Sequence, residues 1–181
     1  MQDSLTELKK LGNRQLVNRD YEGAIKVFQQ LIQESPESAD GYIGLAKTLA
    51  RRKEYQAIVD TVGPVANRVN SAQLKSLLAD AYRVLVFRGK KEYVDAAINA
   101  FEDYHQERED SVSLYYLAEI YRSFKKDFAR AADVYQASWD REQRGRLAYQ
   151  GLLSCLGQLG RDDEVVRAKA LWKERNPPKK N

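Results

Sequence analysis

Apolar residues in this chain return three or four positions apart, and strand formers nowhere alternate with polar residues in runs. That spacing gathers large side chains on one stripe of a helix and predicts an all-α fold. Short polar or glycine-bearing segments interrupt the stripe at Asn18-Arg19-Asp20, Arg52-Lys53-Glu54, Lys125-Lys126-Asp127 and Gly160-Arg161-Asp162. Each separates two helical stretches, so each reads as the turn inside a helix pair. Ser38-Ala39-Asp40 and Glu109-Asp110-Ser111 offer capping side chains before the first helices of the second and fourth pairs. Pro36 and Pro177 stand where the second helices of the first and fifth pairs should close.

The pairs are copies of one another. Leu11-Gly12 is followed by Tyr21, Ala24, Phe28 and Pro36. The order recurs as Leu45-Ala46, Tyr55, Ile58 and Val62, then as Leu78-Ala79, Tyr82, Ala97 and Phe101. It recurs again as Leu117-Ala118, Tyr121, Phe128, Ala131 and Tyr135, and more weakly as Tyr149, Leu152, Leu156, Gly160, Val165, Trp172 and Pro177. The close-packing site falls at Gly12, Ala46, Ala79, Ala118 and Leu153, with spacings of 34, 33, 39 and 35 residues. A generic amphipathic bundle explains the helical spacing but not this return of a Leu-small pair, an aromatic and an alanine.

The pattern resembles the tetratricopeptide repeat (TPR), in which these residue types stand at these intervals. The resemblance implies a right-handed α-solenoid of about five helix-turn-helix repeats, placed at residues 5–38, 39–71, 72–110, 111–145 and 146–177. It makes residues 1–181 a single array ending in a basic tail at 178–181. Small residues let the two helices of a hairpin approach closely, and the larger ones form the stripe that packs on the next hairpin. One hairpin cannot bury its stripe alone, so stability comes from stacking neighbours.

Two places depart from the regular repeat. Val62-Gly63-Pro64-Val65 puts a proline inside the second helix of copy 2, where it removes a hydrogen bond and clashes with the preceding turn, so a kink or early break is expected. Copy 3 carries six extra residues within 84–92, with an apolar start that predicts a longer first helix and Gly89 as its turn. The extra residues either carry partner contacts or pack Phe87 locally. Copy 5 has Lys169 where the other second helices place an aromatic or apolar residue, as befits a terminal cap with Asp162, Asp163, Glu164 and Arg167 facing water.

Composition narrows the function. Thirty basic residues are interleaved with 26 acidic ones for a net charge of +4, which gives no concentrated basic face and no expectation of nucleic-acid binding. The groove residues Lys9, Ile43, Ser76 and Tyr115 likewise follow no base-reading code. The N-terminus has no apolar signal core and no stretch reaches 18 apolar residues, so neither a secretory signal nor a membrane span is expected, and the expected location is cytoplasmic. A single cysteine, Cys155, lies among Leu152, Leu153 and Leu156 as an inert core thiol would, and the single histidine, His105, reads as a surface residue at a helix end. One His and one Cys supply no standard zinc site, and no phosphate loop is present. No catalytic residue, metal or cofactor is expected, and the chain reads as a non-enzyme.

In the TPR family, the first helices of successive repeats line a concave face that contacts partners. Carried over residue by residue, the groove positions are Lys9, Asn13 and Leu16, then Ile43, Lys47 and Arg51, then Ser76, Asp80 and Arg83. Tyr115, Glu119 and Arg122 follow from copy 4, and Gln150 and Ser154 from copy 5. Five bases against two acids favour an extended or helical partner segment with acidic character. The family's five-residue carboxylate clamp for chaperone tails would need Lys9, Asn13, Gly44, Gln73 and Leu77, of which only the first two match, so that activity is not expected. The resemblance therefore implies a protein-binding adaptor or scaffold, with self-association through repeat ends or the copy 3 excess as the alternative.

Overall fold

A computed structural model describes residues 2–108, 110–142 and 145–177. The tail at 178–181 and Glu109 of the fourth cap lie outside the described residues. The regular elements are all helices, with no strand among the described residues. The chain divides into two compact units, residues 1–107 and 108–181.

In the first unit, helices α1 (Gln2–Val17) and α2 (Tyr21–Glu34) form one antiparallel pair. Helix α3 (Ala39–Arg51) pairs with α4 (Tyr55–Val62), and α6 (Ala72–Phe87) with α7 (Val94–Glu107). Helix α2 packs on α3, and α4 packs on α6. The first helices are neighbours as well, α1 beside α3 and α3 beside α6. Ser38, Ser71 and Asp20 cap α3, α6 and α2 by accepting hydrogen bonds from first-turn N–H groups. Proline breaks copy 2 where the sequence predicts. Helix α4 stops at Val62, a 3₁₀ turn spans Gly63–Val65, and the short helix α5 (Ala66–Val69) follows. Copy 3 extends α6 to Phe87, turns at Gly89 (φ 97°) and enters α7 through a 3₁₀ turn at Lys91–Tyr93. Its extra residues fold back on the second hairpin. The Arg88 guanidinium lies 4.9 Å from the Tyr55 ring centre, and the Gln56 amide donates to the Tyr93 hydroxyl at 2.9 Å.

The second unit pairs α8 (Ser111–Ile120) with α9 (Phe128–Arg141), and α10 (Arg146–Gln158) with α11 (Asp162–Arg175). Asp110 caps α8 and Asp127 caps α9. A π turn at Tyr121–Lys125 ends the first of these helices. In the last hairpin the turn sits at 159–161, one residue before the Gly160-Arg161-Asp162 expectation, because Arg161 is the cap and Asp162 already helical. Helix α11 buries only Ala168, and Lys169 is exposed, in keeping with a terminal position. This hairpin is closed by aromatic stacking, with Tyr149 on Trp172 at 4.4 Å and Trp139 5.2 Å from Tyr149.

The hairpin turns share one device. Arg19 and Lys53 stand at φ 63°, Lys126 at 56° and Gly160 at 66°, all in the left-handed region that glycine adopts without strain. The residue after the left-handed one donates to a carbonyl five residues back, as Asp20 to Gln15, Glu54 to Leu49, Lys90 to Leu85 and Arg161 to Leu156, at 2.9–3.0 Å. Asp127 reaches six residues back to Tyr121, because the π turn inserts one residue.

Candidate functional site

Each unit is built around an aromatic residue from a second helix lodged between first helices. Phe28 of α2 is fully buried, and its ring fills the notch left by Gly12 and Gly44; a Cβ on Gly44 would overlap it. Tyr135 of α9 occupies the matching slot in the second unit, where a Cβ on Gly151 would overlap its ring. Close approach therefore requires glycine at these two places. The first slot also explains the missing clamp, because Gly44 is buried beneath Phe28 and leaves no space for an asparagine.

With the aromatics turned inward, the outer faces of α1, α3 and α6 carry the groove candidates of the first unit. Lys9, Asn13, Lys47, Arg51 and Asp80 are exposed, and Arg83 is half-buried. Their charges differ in how they are used. Lys9 pairs with Asp40 at 2.8 Å, and Arg83 with Asp80 at 3.0 Å. No ion pair engages Lys47 or Arg51 among the described residues. They flank a cleft of about 600 Å³ lined also by Leu16, Val17, Arg19, Tyr21, Ala50 and Leu77. Sequence reasoning placed Leu16, Lys47 and Arg51 in the groove and Leu77 at a clamp position, but missed Val17, Arg19, Tyr21 and Ala50. A turn cation following an exposed valine was the available signal.

In the second unit Tyr115, Glu119 and Arg122 are half-buried, and the structure brings the latter two together on Tyr135. The Tyr135 hydroxyl donates to Glu119 Oε1 and accepts from Arg122 Nε at 3.1 Å, while Arg122 donates to Glu119 Oε2 at 2.7 Å. Burial and the bond to Glu119 drive the Tyr135 phenol well above its ordinary value, so it stays a donor. Glu119 likewise holds the Arg122 guanidinium firmly protonated. Tyr115 packs edge-on against Tyr116 at 5.3 Å and lies 6.0 Å from Tyr135. It also borders a second cleft, of about 340 Å³, with the exposed Val112 and Leu147. Gln150 and Ser154 are exposed on α10.

Nucleophile chemistry has little support from this geometry. Cys155 is fully buried, and burial pushes its thiol up to about 11. His105 is half-buried in the last turn of α7 rather than fully at the surface, in ring contact with Phe101 and Tyr104. Among the described residues no cluster of three or more His, Cys, Asp or Glu could hold a metal ion. Nor is any helix among them long and apolar enough to cross a membrane.

Two tetratricopeptide repeat models match the chain, one over residues 16–81 and the other over residues 112–141, together more than half of it. The chain belongs to the tetratricopeptide repeat family. Its fold is accordingly an all-α TPR-like solenoid. Among solved structures it is similar to the MamA protein, at 18% identity and a TM-score of 0.77, covering 97% of this chain and 93% of that one. Similar too are TTC0263, a thermophilic TPR protein of Thermus thermophilus (16% identity, TM-score 0.58, 97% and 93% covered), and YrrB, a TPR protein with an unusual peptide-binding site (19% identity, TM-score 0.66, 83% and 75% covered). At these identities the likeness establishes the fold alone. A comparison with curated proteins found no match. The TPR fold is a typical protein-interaction scaffold.

Proposed function

We propose that this chain is a non-catalytic scaffold that holds a segment of a partner protein against the outer face of its first helices. One observation carries the reading. The second helices supply the buried aromatics, Phe28, Phe101 and Tyr135, while neighbouring α1, α3 and α6 turn Lys9, Asn13, Lys47, Arg51 and Asp80 to solvent. A row of polar side chains on adjacent helices, with rigid packing behind it, suits recognition of an extended or helical segment. The peptide-binding site named for YrrB is consistent with that use of the fold. In the second unit Tyr115 offers a candidate contact of its own, whereas Glu119 and Arg122 are engaged by Tyr135. The buried, raised thiol of Cys155 supports a role without catalysis.

The test is site-specific photo-crosslinking of the full chain in lysate. A photoreactive residue at Asn13 or Lys47 should capture a partner that the same residue at Gln33, exposed on α2, does not. Capture from Gln33 alone would place the working surface on the second helices and overturn the reading.

A further inference from the structure

We propose that the cleft floored by Leu16, Ala50 and Leu77 and rimmed by Arg19, Lys47 and Arg51 is an anchor site for one apolar side chain of a partner segment flanked by carboxylates. The inference deepens the scaffold reading and rests on it. The cleft is built by the end of α1, the turn at Arg19 with the start of α2 at Tyr21, the end of α3 and the second turn of α6. Leu16, Ala50 and Leu77 are half-buried, their inner sides packed on the core and the remainder left to the cleft. Val17 at its mouth is 80% exposed, the largest exposure among the exposed large apolar residues described. A volume of about 600 Å³ lies within the range of small binding pockets and has ample room for a leucine or phenylalanine side chain.

The rim identifies the chemistry of the guest. Arg19, Lys47 and Arg51 are all exposed, and no acidic residue is among those lining the cleft. Lys47 and Arg51 stand four residues apart on one helix, a like-charge spacing that disfavours the helix itself. Elsewhere on the same face the fold neutralises its cations internally, Lys9 with Asp40 and Arg83 with Asp80. Around this cleft no ion pair engages Arg19, Lys47 or Arg51 among the described residues. Three unneutralised cations over an apolar floor are complementary to an apolar residue bracketed by Asp or Glu, which supplies the missing acids on binding. A fully apolar guest would leave the cations without partners, and a basic one would be repelled.

Fluorescence anisotropy on the full chain tests this with a labelled peptide carrying one leucine between pairs of glutamates. The peptide should bind, and raising salt from about 0.05 M to about 0.5 M should weaken it. Replacing its leucine by glycine, or its glutamates by glutamines, should each weaken binding about tenfold or more. The double variant Lys47→Glu with Arg51→Glu should do the same. Val17→Glu provides a second variant at a residue whose exposure makes misfolding no explanation, and it should lower affinity in the same direction. No binding by the unaltered chain, equal affinity for the glutamine peptide, or affinity unchanged in both variants would each overturn the assignment. If a partner still crosslinks from Asn13 while the charge reversal leaves its affinity unaltered, this cleft is not the anchor and the scaffold reading stands.

Discussion

The slots around Phe28 and Tyr135 occupy the same place in the repeat and are solved differently. Both rings lie against a glycine, Gly44 in one case and Gly151 in the other, and both are fully buried. Phe28 brings no polar atom inside, so the first-helix positions beside it, Asn13 and Leu16, stay available to solvent and to the cleft. Tyr135 brings a hydroxyl into the interior, where an unsatisfied donor is expensive. The corresponding positions, Glu119 and Arg122, are drawn inward to satisfy it. One oxygen atom thus decides whether the polar atoms at these two repeat positions are engaged by the buried ring.

Truncation probes the slots most severely. Phe28→Ala should destabilise the first unit by about 3–5 kcal/mol in urea unfolding, the usual cost of removing a fully packed phenyl ring. A cost below about 1 kcal/mol would show that the notch of Gly12 and Gly44 collapses freely and is no keystone. Exchanging the two chemistries comes next. Phe28→Tyr should cost about 1–3 kcal/mol, because its hydroxyl meets no ready acceptor, and adding Asn13→Glu should recover part of that by imitating Glu119. The reverse change, Tyr135→Phe, should cost less, about 0.5–1.5 kcal/mol, since Glu119 and Arg122 keep each other. A larger loss from Tyr135→Phe than from Phe28→Tyr would break the comparison.

The hairpins were legible because their signals are local. Turn residues, caps and the Leu-small pair recur at fixed intervals, and Pro64 marks the break in α4 by its missing N–H alone. What stayed hidden depends on partners distant in sequence. Carrying groove positions from repeat to repeat treats Glu119 and Arg122 as open. Only the change from phenylalanine to tyrosine, beside an acid and a base three residues apart, hints that they are occupied. The cleft was half legible. Lys47 and Arg51 follow from the repeat, but Arg19 comes from a turn and Leu77 from the third hairpin, and no single-copy pattern joins them. The π turn at Tyr121–Lys125 leaves one trace in the spacing, since Phe128 follows Ala118 by 10 residues where Tyr21 follows Gly12 and Tyr55 follows Ala46 by 9, but a single added residue does not say how the helix absorbs it.

Alkaline pH separates the slots further. Burial raises the Cys155 thiol from 9.0 to about 11, and Tyr135 is raised as well. Between those values an unfolded chain has released the thiol proton while the folded chain retains it. The associated stability is therefore complete below pH 9.0 and lost as pH climbs toward about 11. Denaturant midpoints measured at neutral pH and at about pH 10 should show a decline that Cys155→Ala makes shallower. An unchanged slope would mean that the thiol is not protected by burial. The Phe28 ring has no titratable atom, so Phe28→Leu should lower the midpoint equally at both values.

The smallest expected effect lies in the turns, and it distinguishes the two units once more. Lys53 holds a left-handed conformation (φ 63°) in a turn whose hydrogen bonds are otherwise the same as those around Gly160. Glycine removes the Cβ strain there but also loosens the unfolded chain, and the first effect wins where φ is positive. Lys53→Gly should thus stabilise by about 0.5–1 kcal/mol. Lys126→Gly should gain less, because its φ of 56° ends a π turn whose wider closure, from Asp127 to Tyr121, depends more on the chain being held stiff. Thermal melts of the two variants side by side give the order. A greater gain at Lys126 would show that the π turn itself is strained by the side chain and that the extra residue is tolerated only at that cost.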